Sequence, residues 1–194
     1  MSSHSPSCPF CNIAASYPPL PPTTSSPQNE PGQTADEPPQ TQAFLILSTK
    51  YVLAFLDIMP LTRGHVLVVT RDHYEKLGDM DVRASREIGQ WLPIMSRVVM
   101  RTLYGDDMDS DWHWNVVQNN GIRAAQQVPH VHFHIIPRPP LDAAPSKGKS
   151  SWVMFGRGQR DDLDEDEAED LAQQLRAELG RESASATDET DLRR

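Results

Sequence analysis

Cysteine, basic charge and long apolar runs are all scarce in this 194-residue sequence. The only two cysteines, Cys8 and Cys11, exclude a disulfide framework, and in a reducing compartment such a pair is available to bind metal. The formal net charge of −9 argues against long nucleic acids as partners, because proteins that bind a phosphate backbone usually carry a basic patch. The longest apolar runs, around Val52–Leu56 and Val66–Val69, are too short to cross a membrane. The polar N-terminus also lacks the apolar core of a signal peptide. We therefore expect a soluble protein without membrane contact, cytoplasmic and in some settings also nuclear.

The chain length is suited to a single domain, which we place at residues 6–180. Residues Pro18–Gln40 are rich in proline, serine and threonine and carry too little apolar surface to offset the entropy of ordering. We expect a disordered insertion here, with outer limits at 18–42, that interrupts the domain. The polar composition of residues 181–194 predicts a disordered C-terminal tail.

The pattern of apolar residues predicts an α+β fold with a five-stranded antiparallel sheet. The strands are expected at Ala43–Leu47, Tyr51–Leu56, His65–Thr70, Trp112–Gln118 and His130–Pro137, which are short and rich in β-branched and aromatic residues. Apolar residues at three- and four-residue spacing predict a long helix over 81–104 that packs on the sheet, with a kink or break at Pro93.

A second, C-terminal helix is expected after the last strand. Asp164 with Glu167 three residues later is typical of a helix N-cap, and Gly180 is expected to end the helix.

Three histidines alternate with apolar residues in the last predicted strand: His130, His132 and His134. Alternate side chains of a strand share a face, so the three imidazoles should point the same way. They could be solvent-facing residues of a half-buried strand, but three in strict alternation favour chemistry over that interpretation. They could also be ligands of a catalytic zinc, although the first and third are too far apart to converge easily on one ion. A neutral imidazole is a good nucleophile at pH 7, so a nucleophilic role for one of them needs no metal.

The segment His130–Ile136, HVHFHII, resembles the signature of the histidine triad (HIT) family of nucleotide hydrolases and transferases. The resemblance extends from Cys8 to about Arg138 and includes four further segments: Phe55–Ile58, Pro60–Val69, Asn119–Gly121 and Gln126. It implies the HIT-like fold and a two-fold homodimer, for which the apolar helix stripe Trp91, Met95, Val98 and Val99 would provide a surface.

The resemblance also implies roles for individual residues. His132 would attack an α-phosphate and form a nucleotidyl-histidine intermediate that water hydrolyses. His134 and His65 would contact the phosphate or fix the tautomers of the other imidazoles, and His130 would orient the nucleophile. The nucleotide contacts would be Asp57 to the ribose hydroxyls, Ile58 to the base, and the amides of Asn119 and Gln126 near the nucleotide and its phosphates.

Members of the family that cleave phosphoramidates often carry serine or threonine where this chain has Gln127. That departure concerns the residue that would contact the leaving group.

The pair Cys8-x-x-Cys11 has the spacing of half a zinc knuckle, but by itself it equally fits two buried thiols. In zinc-containing members of the family the site is completed by two histidines, which here correspond to His73 and His130. The resemblance thus implies a structural zinc, with no organic cofactor.

The function implied is hydrolysis of adenosine or guanosine 5′-monophosphate derivatives, either phosphoramidates or dinucleoside polyphosphates. The alternative is a purine-nucleotide-binding or scaffold protein with little turnover. DNA-adenylate repair is disfavoured by the acidic charge, and nucleotidyl transfer by His134, since relatives with that activity carry glutamine there.

Overall fold

The structure of the protein, a computed structural model, describes residues 4–20, 43–106, 112–139 and 163–191, the last seven of these by their backbone alone. Most of the expected insertion, residues 21–42, lies outside the described residues, as do 192–194 of the expected tail. In the described part of the chain, no helix is long and apolar enough to cross a membrane. The cytoplasmic location stays a prediction.

Five antiparallel strands form one sheet, in the spatial order β1-β2-β3-β5-β4. Their bounds are β1 Leu45–Ser48, β2 Val52–Leu56, β3 Val66–Thr70, β4 Trp114–Gln118 and β5 His132–Pro137. The predicted fold class is therefore confirmed, with strand ends displaced by one or two residues. His65 and His130, which were expected inside strands, lie just before β3 and β5.

Both faces of the sheet are covered, which explains why every residue of β2 and β3 is buried. Helices α2 (Val82–Tyr104) and α3 (Glu165–Asp191) pack on one face. The short helix α1 (Pro9–Ser16) packs on the other, against Leu53, Phe55, Leu67 and Val69. Alternate residues of β2 and β3 thus belong to two separate apolar clusters.

Helix α2 begins where predicted, because the Asp81 carboxylate accepts a hydrogen bond from the Ala84 N–H at 2.7 Å. The expected break at Pro93 is wrong, since one continuous helix runs through it. Pro93 and Gly89, whose carbonyl loses its helical partner, are both exposed, so water can satisfy that carbonyl.

The stripe on α2 that was expected to form a dimer surface is buried within the chain itself. Trp91, Met95, Val98 and Val99 all belong to the core cluster shared with the sheet and α3. The stripe consequently gives no support for a dimer.

Helix α3 begins as predicted, with Asp164 Oδ1 accepting from the Glu167 N–H at 3.0 Å. The expected end at Gly180 is wrong, because the helix continues to Asp191, and residues 181–191 are helical rather than an irregular tail. Glu182 accepts hydrogen bonds from Arg97 and Arg101 of α2, and these bonds tie the additional turns to the core.

Candidate active site and metal centre

The three histidines lie on the α1 side of the sheet, as their alternation predicts. His132 pairs with Val69 and His134 with Leu67, two residues of the α1-side cluster. The intervening Val131, Phe133 and Ile135 belong to the opposite core cluster. The interpretation of solvent-facing histidines is wrong, because His130 and His132 are buried.

The orientation of His132 is set by its own backbone. Its Nδ1 lies 2.6 Å from the carbonyl oxygen of His130, which can only accept, so Nδ1 carries the hydrogen. In the neutral ring, the lone pair is then on Nε2. Burial lowers the pKa of His132, against the opposing effects of the His130 carbonyl and of Asp57. At neutral pH the lowered pKa favours a neutral imidazole with its lone pair on Nε2.

His65 and His134 form a hydrogen-bonded pair of imidazoles. The Leu61 N–H donates to His65 Nδ1 at 3.1 Å, so the hydrogen of neutral His65 is on Nε2 and is donated to His134 Nδ1 at 3.0 Å. His134 then carries its hydrogen on Nε2. The ring centroids of His132 and His134 are 5.0 Å apart, which brings a hydrogen-bond donor next to His132.

Asp57 is the carboxylate of this site and follows β2 directly. Its Oδ1 accepts from the Met59 N–H at 2.9 Å, and its Oδ2 lies 3.5 Å from His65 Nδ1 and 4.0 Å from His134 Nδ1. A carboxylate at these distances favours any positive charge that develops on the two imidazoles.

Ile58, which the resemblance places beside the base, is 63% exposed, so its side chain is available as an apolar contact.

A glycine turn and a backbone hydrogen bond shape the loop that carries Asp57 and Ile58. Gly64 has a φ of +79°, a backbone conformation that favours glycine, and an added Cβ would lie 2.6 Å from the Leu103 side chain. The Leu163 N–H donates to the Ile58 carbonyl at 3.1 Å, which links the loop to the start of α3.

Both polar atoms of the Gln126 side chain form hydrogen bonds within the protein. It is buried, its Oε1 accepts from the Gly121 N–H at 2.6 Å, and its Nε2 donates to the Glu75 carbonyl at 2.7 Å. The side chain therefore holds the loop between β4 and β5 to the segment after β3. Asn119 is half-buried at the start of that loop, where its carbonyl accepts from Gln118. Direct contact of Gln126 or Asn119 with a nucleotide stays a prediction.

The four residues expected to bind zinc come together, and their ligand atoms all lie within 4.8 Å of one another. Cys8 Sγ is 3.3 Å and Cys11 Sγ 3.7 Å from His130 Nδ1, and Cys11 Sγ is 3.4 Å from His73 Nδ1. Tetrahedral zinc with ordinary Zn–S and Zn–N bonds separates such sulfur and nitrogen atoms by about 3.5 Å. The Cys₂His₂ set therefore fits zinc in composition and in spacing.

Burial shifts the pKa values of two members of this cluster. Burial raises the pKa of the Cys11 thiol to about 11, so the thiolate needs a nearby positive charge. Burial is also the main reason that the pKa of His130 falls to about 4. His130 Nε2 lies 2.8 Å from the Thr70 carbonyl, so it carries the hydrogen and leaves the Nδ1 lone pair directed at the cysteines.

Three residues near the site were missed from the sequence: Phe10, Thr70 and Arg71. Phe10 lies between the two cysteines, and its position there was the available signal. Arg71 binds the carbonyls of Ala14 and Tyr17 at 2.6 and 3.0 Å, which fixes the end of α1 to the sheet. An arginine at a strand end carries no sequence signal for such a contact.

Comparison with known proteins identifies the domain, because the family model of the HIT domain matches residues 38–141, more than half of the chain. The chain belongs to the HIT domain family. An uncharacterised HIT-like protein of Methanocaldococcus jannaschii is 38% identical over 125 residues, which cover 63% of this chain and 84% of that protein. The adenosine 5′-monophosphoramidase hnt1 of Schizosaccharomyces pombe is 39% identical over 94 residues, which cover 48% of this chain and 63% of that protein, just under two thirds of its length.

A solved structure extends the likeness to most of this HIT protein. A zinc-bound histidine triad family protein of Mycobacterium smegmatis has a TM-score of 0.58 and 25% identity, covering 92% of this chain and 97% of that one.

Proposed function

We propose that this HIT domain hydrolyses the α-phosphate linkage of adenosine or guanosine 5′-monophosphate derivatives, with His132 as the nucleophile. The single observation that carries the proposal is the 2.6 Å hydrogen bond from His132 Nδ1 to the His130 carbonyl. It leaves the Nε2 lone pair free to attack, in a ring whose lowered pKa keeps it neutral. The similarity to a fission-yeast adenosine 5′-monophosphoramidase supports the substrate class.

The reaction consists of two displacements at phosphorus. His132 Nε2 forms a bond to the α-phosphorus, and the leaving group departs with the electron pair of the broken bond; an amine takes up a proton from solvent as it leaves. A water oxygen then attacks the same phosphorus, loses a proton to solvent, and releases His132 and the nucleoside monophosphate. Splitting one difficult displacement into two lowers each barrier.

Neighbouring residues have the properties that these steps require. His134, with its hydrogen on Nε2, donates to a non-bridging phosphate oxygen, and His65 fixes that tautomer through the 3.0 Å bond. Asp57 accepts from the ribose hydroxyls, and the exposed Ile58 contacts the base. Asn119 lies near the nucleotide, while Gln126 shapes the loop before β5.

The identity of the leaving group requires a comparison of substrates. Gln127 is exposed and stands where phosphoramidate-cleaving relatives often have serine or threonine. Rates for a phosphoramidate, an aminoacyl-adenylate and a dinucleoside polyphosphate, measured with one preparation, would rank the leaving groups.

His132→Asn tests the nucleophile, because asparagine retains an N–H donor for the His130 carbonyl but lacks the attacking nitrogen. With adenosine 5′-phosphoramidate we expect kcat to fall by about 10⁴-fold or more, while AMP still binds within about three-fold of the wild-type Kd. His113→Asn, the same change at an exposed position, is the control. More than a few per cent of the wild-type rate in His132→Asn would contradict the assignment. A wild-type protein that binds AMP but turns over none of the panel would favour the nucleotide-binding alternative.

We propose that Cys8, Cys11, His73 and His130 hold a structural zinc. The four-residue set fits the ion, and a closed site offers no position for substrate or water. Bound zinc would join α1 to the segment that precedes the nucleophile.

We also propose a homodimer, on the family resemblance. Strand β4 is an edge of the sheet, with Trp114 41% and Val116 46% exposed. An apolar sheet edge of this kind supports self-association.

A further inference from the structure

The ring of Phe10 lies between the cysteine pair and the proposed nucleophile. Phe10 is the second residue of α1 and is only 8% exposed. Its ring centroid is 5.2 Å from that of His132 at an interplanar angle of 71°, and 5.8 Å from that of His130 at 76°. Both are edge-to-face contacts, a preferred geometry for aromatic pairs.

We propose that Phe10 is a positioning residue for the reaction of His132. Its ring holds the imidazole in the orientation from which Nε2 attacks, and the Cys8/Cys11 segment determines where that ring lies. The inference rests on the proposed function and adds a residue to it.

Among the described residues, the His132 ring is hydrogen-bonded through one atom, Nδ1, to the His130 carbonyl. A ring held by its Cβ–Cγ bond and one hydrogen bond can still rock, and rocking moves Nε2, which is separated from Nδ1 by one ring carbon. Two nearly perpendicular rings limit this motion: His134 at 5.0 Å and Phe10 at 5.2 Å between centroids. His134 is itself held by His65, whereas Phe10 packs on Phe55 of the sheet and belongs to α1.

Phe10 can position another ring only if it is itself fixed, and α1 is anchored at both ends. At its start, Cys8 and Cys11 flank Phe10 and contact His130 at 3.3 and 3.7 Å. At its end, Arg71 binds the Ala14 and Tyr17 carbonyls. The Phe10 ring also packs on Phe55 of β2, with centroids 5.7 Å apart. The ring is thus held by the sheet as well as by its helix.

The placement distinguishes Phe10 from an ordinary core residue. Ile13 lies in the same helix and the same apolar cluster, and is 7% exposed, almost the same as Phe10. It is three residues further along α1, about 4.5 Å from Phe10 along the helix axis, and has no ring to present to an imidazole. Ile13→Ala is therefore a matched control for the loss of packing in α1.

The test compares Phe10→Leu, which retains apolar bulk and loses the ring, with Ile13→Ala. For each variant, kcat, KM, the Kd of AMP, the zinc content and the melting temperature are measured. We expect Phe10→Leu to lower kcat by about 10- to 100-fold, because a misplaced reacting atom raises the barrier. We expect the Kd of AMP and the zinc content to stay at wild-type values. Ile13→Ala should keep kcat within about two-fold while its melting temperature falls.

A spectroscopic readout checks the contact without relying on turnover. The His132 ring proton resonances are assigned by their absence from the spectrum of His132→Asn. They should shift in Phe10→Leu, which lacks the neighbouring aromatic ring, and stay in place in Ile13→Ala.

Three results would overturn the inference: an unchanged kcat in Phe10→Leu, an equal fall of kcat in Ile13→Ala, or loss of zinc from Phe10→Leu. The last would show that activity follows the metal and not the ring. These outcomes differ from failure of the proposed function, which appears in the wild-type protein and in His132→Asn.

Discussion

Substitution of one cysteine should remove the metal and leave the fold of the rest of the domain intact. Cys11 is fully buried, and its sulfur is 3.4 Å from His73 Nδ1 and 3.7 Å from His130 Nδ1. Cys11→Ser replaces the thiolate with a much poorer zinc ligand in a nearly identical volume. The variant should lose zinc while the apolar core on the other face of the sheet remains intact.

The expected loss of stability follows from linkage. A ligand that binds only the folded state stabilises it by about 2.7 kcal/mol at 100 times Kd and about 4.1 kcal/mol at 1,000 times Kd. In a domain of this size each kcal/mol corresponds to about 2–4 °C in melting temperature. Saturated wild-type protein should therefore melt roughly 5–15 °C above Cys11→Ser or above chelator-treated wild type.

Thermal denaturation at a series of free zinc concentrations measures this difference, with metal analysis of the purified protein alongside. We expect close to one zinc per chain in the wild type and a melting temperature that rises with free zinc, but no zinc-dependent rise in Cys11→Ser. His113→Asn removes an exposed imidazole and should behave as the wild type. Turnover of Cys11→Ser should fall less than that of His132→Asn. Equal zinc-dependent shifts in Cys11→Ser and wild type would refute the assignment, and complete loss of turnover would mean that the cysteine takes part in the chemistry.

Two further predictions concern an ion-pair cluster and the oligomeric state. Glu182→Ala removes the acceptor of Arg97 and Arg101, and in chemical denaturation it should lower stability by about 1 kcal/mol at low salt and less at high salt. Glu169→Ala, which removes an exposed partner of Arg176, should have little effect in the same assay. Light scattering at micromolar concentration should give the mass of a dimer for the wild type and of a monomer for Val116→Lys, and a monomeric wild type would remove the dimer proposal.

The elements that were predictable from the sequence are those in which the order of apolar and polar residues follows the burial of each side chain. Strands β2 and β3 are continuous apolar runs because helices cover both of their faces. The alternation of His132 and His134 with Phe133 and Ile135 reports a strand with two different faces. The metal ligands came from the cysteine spacing and the family resemblance, and their convergence needed the fold.

The failures have different physical causes. Pro93 stays within α2 because the carbonyl it leaves unpaired is on the exposed face. Gly180 stays within α3 because Glu182 bonds to α2 beyond it. Phe10 resembles any core aromatic until the positions of His130 and His132 are known.

Gln126 provides a pH-dependent test of how the loop before β5 is held. Its Nε2 lies 2.7 Å from the Glu75 carbonyl and 3.4 Å from the His130 carbonyl, and the residue is 4% exposed. Gln126→Glu keeps the size of the side chain but directs a carboxylate oxygen at two acceptors. Loss of the buried donor should cost about 1–3 kcal/mol at neutral pH. Gln127→Glu, the same change at the exposed neighbouring position, should cost nearly nothing.

The sign of the pH dependence follows from which form of the introduced carboxyl the fold accepts. The protonated acid can donate to the Glu75 carbonyl, so folding raises its pKa above the ordinary value of about 4.3. The variant should then match the stability of the wild type below about pH 4.3 and lose stability as the pH rises through the raised pKa of the folded state. Urea denaturation between pH 4 and pH 8, with Gln127→Glu measured at each pH, isolates this effect from metal release. A stability deficit that is the same at every pH would contradict the proposed hydrogen bond, because only a donor lost on ionisation produces the slope.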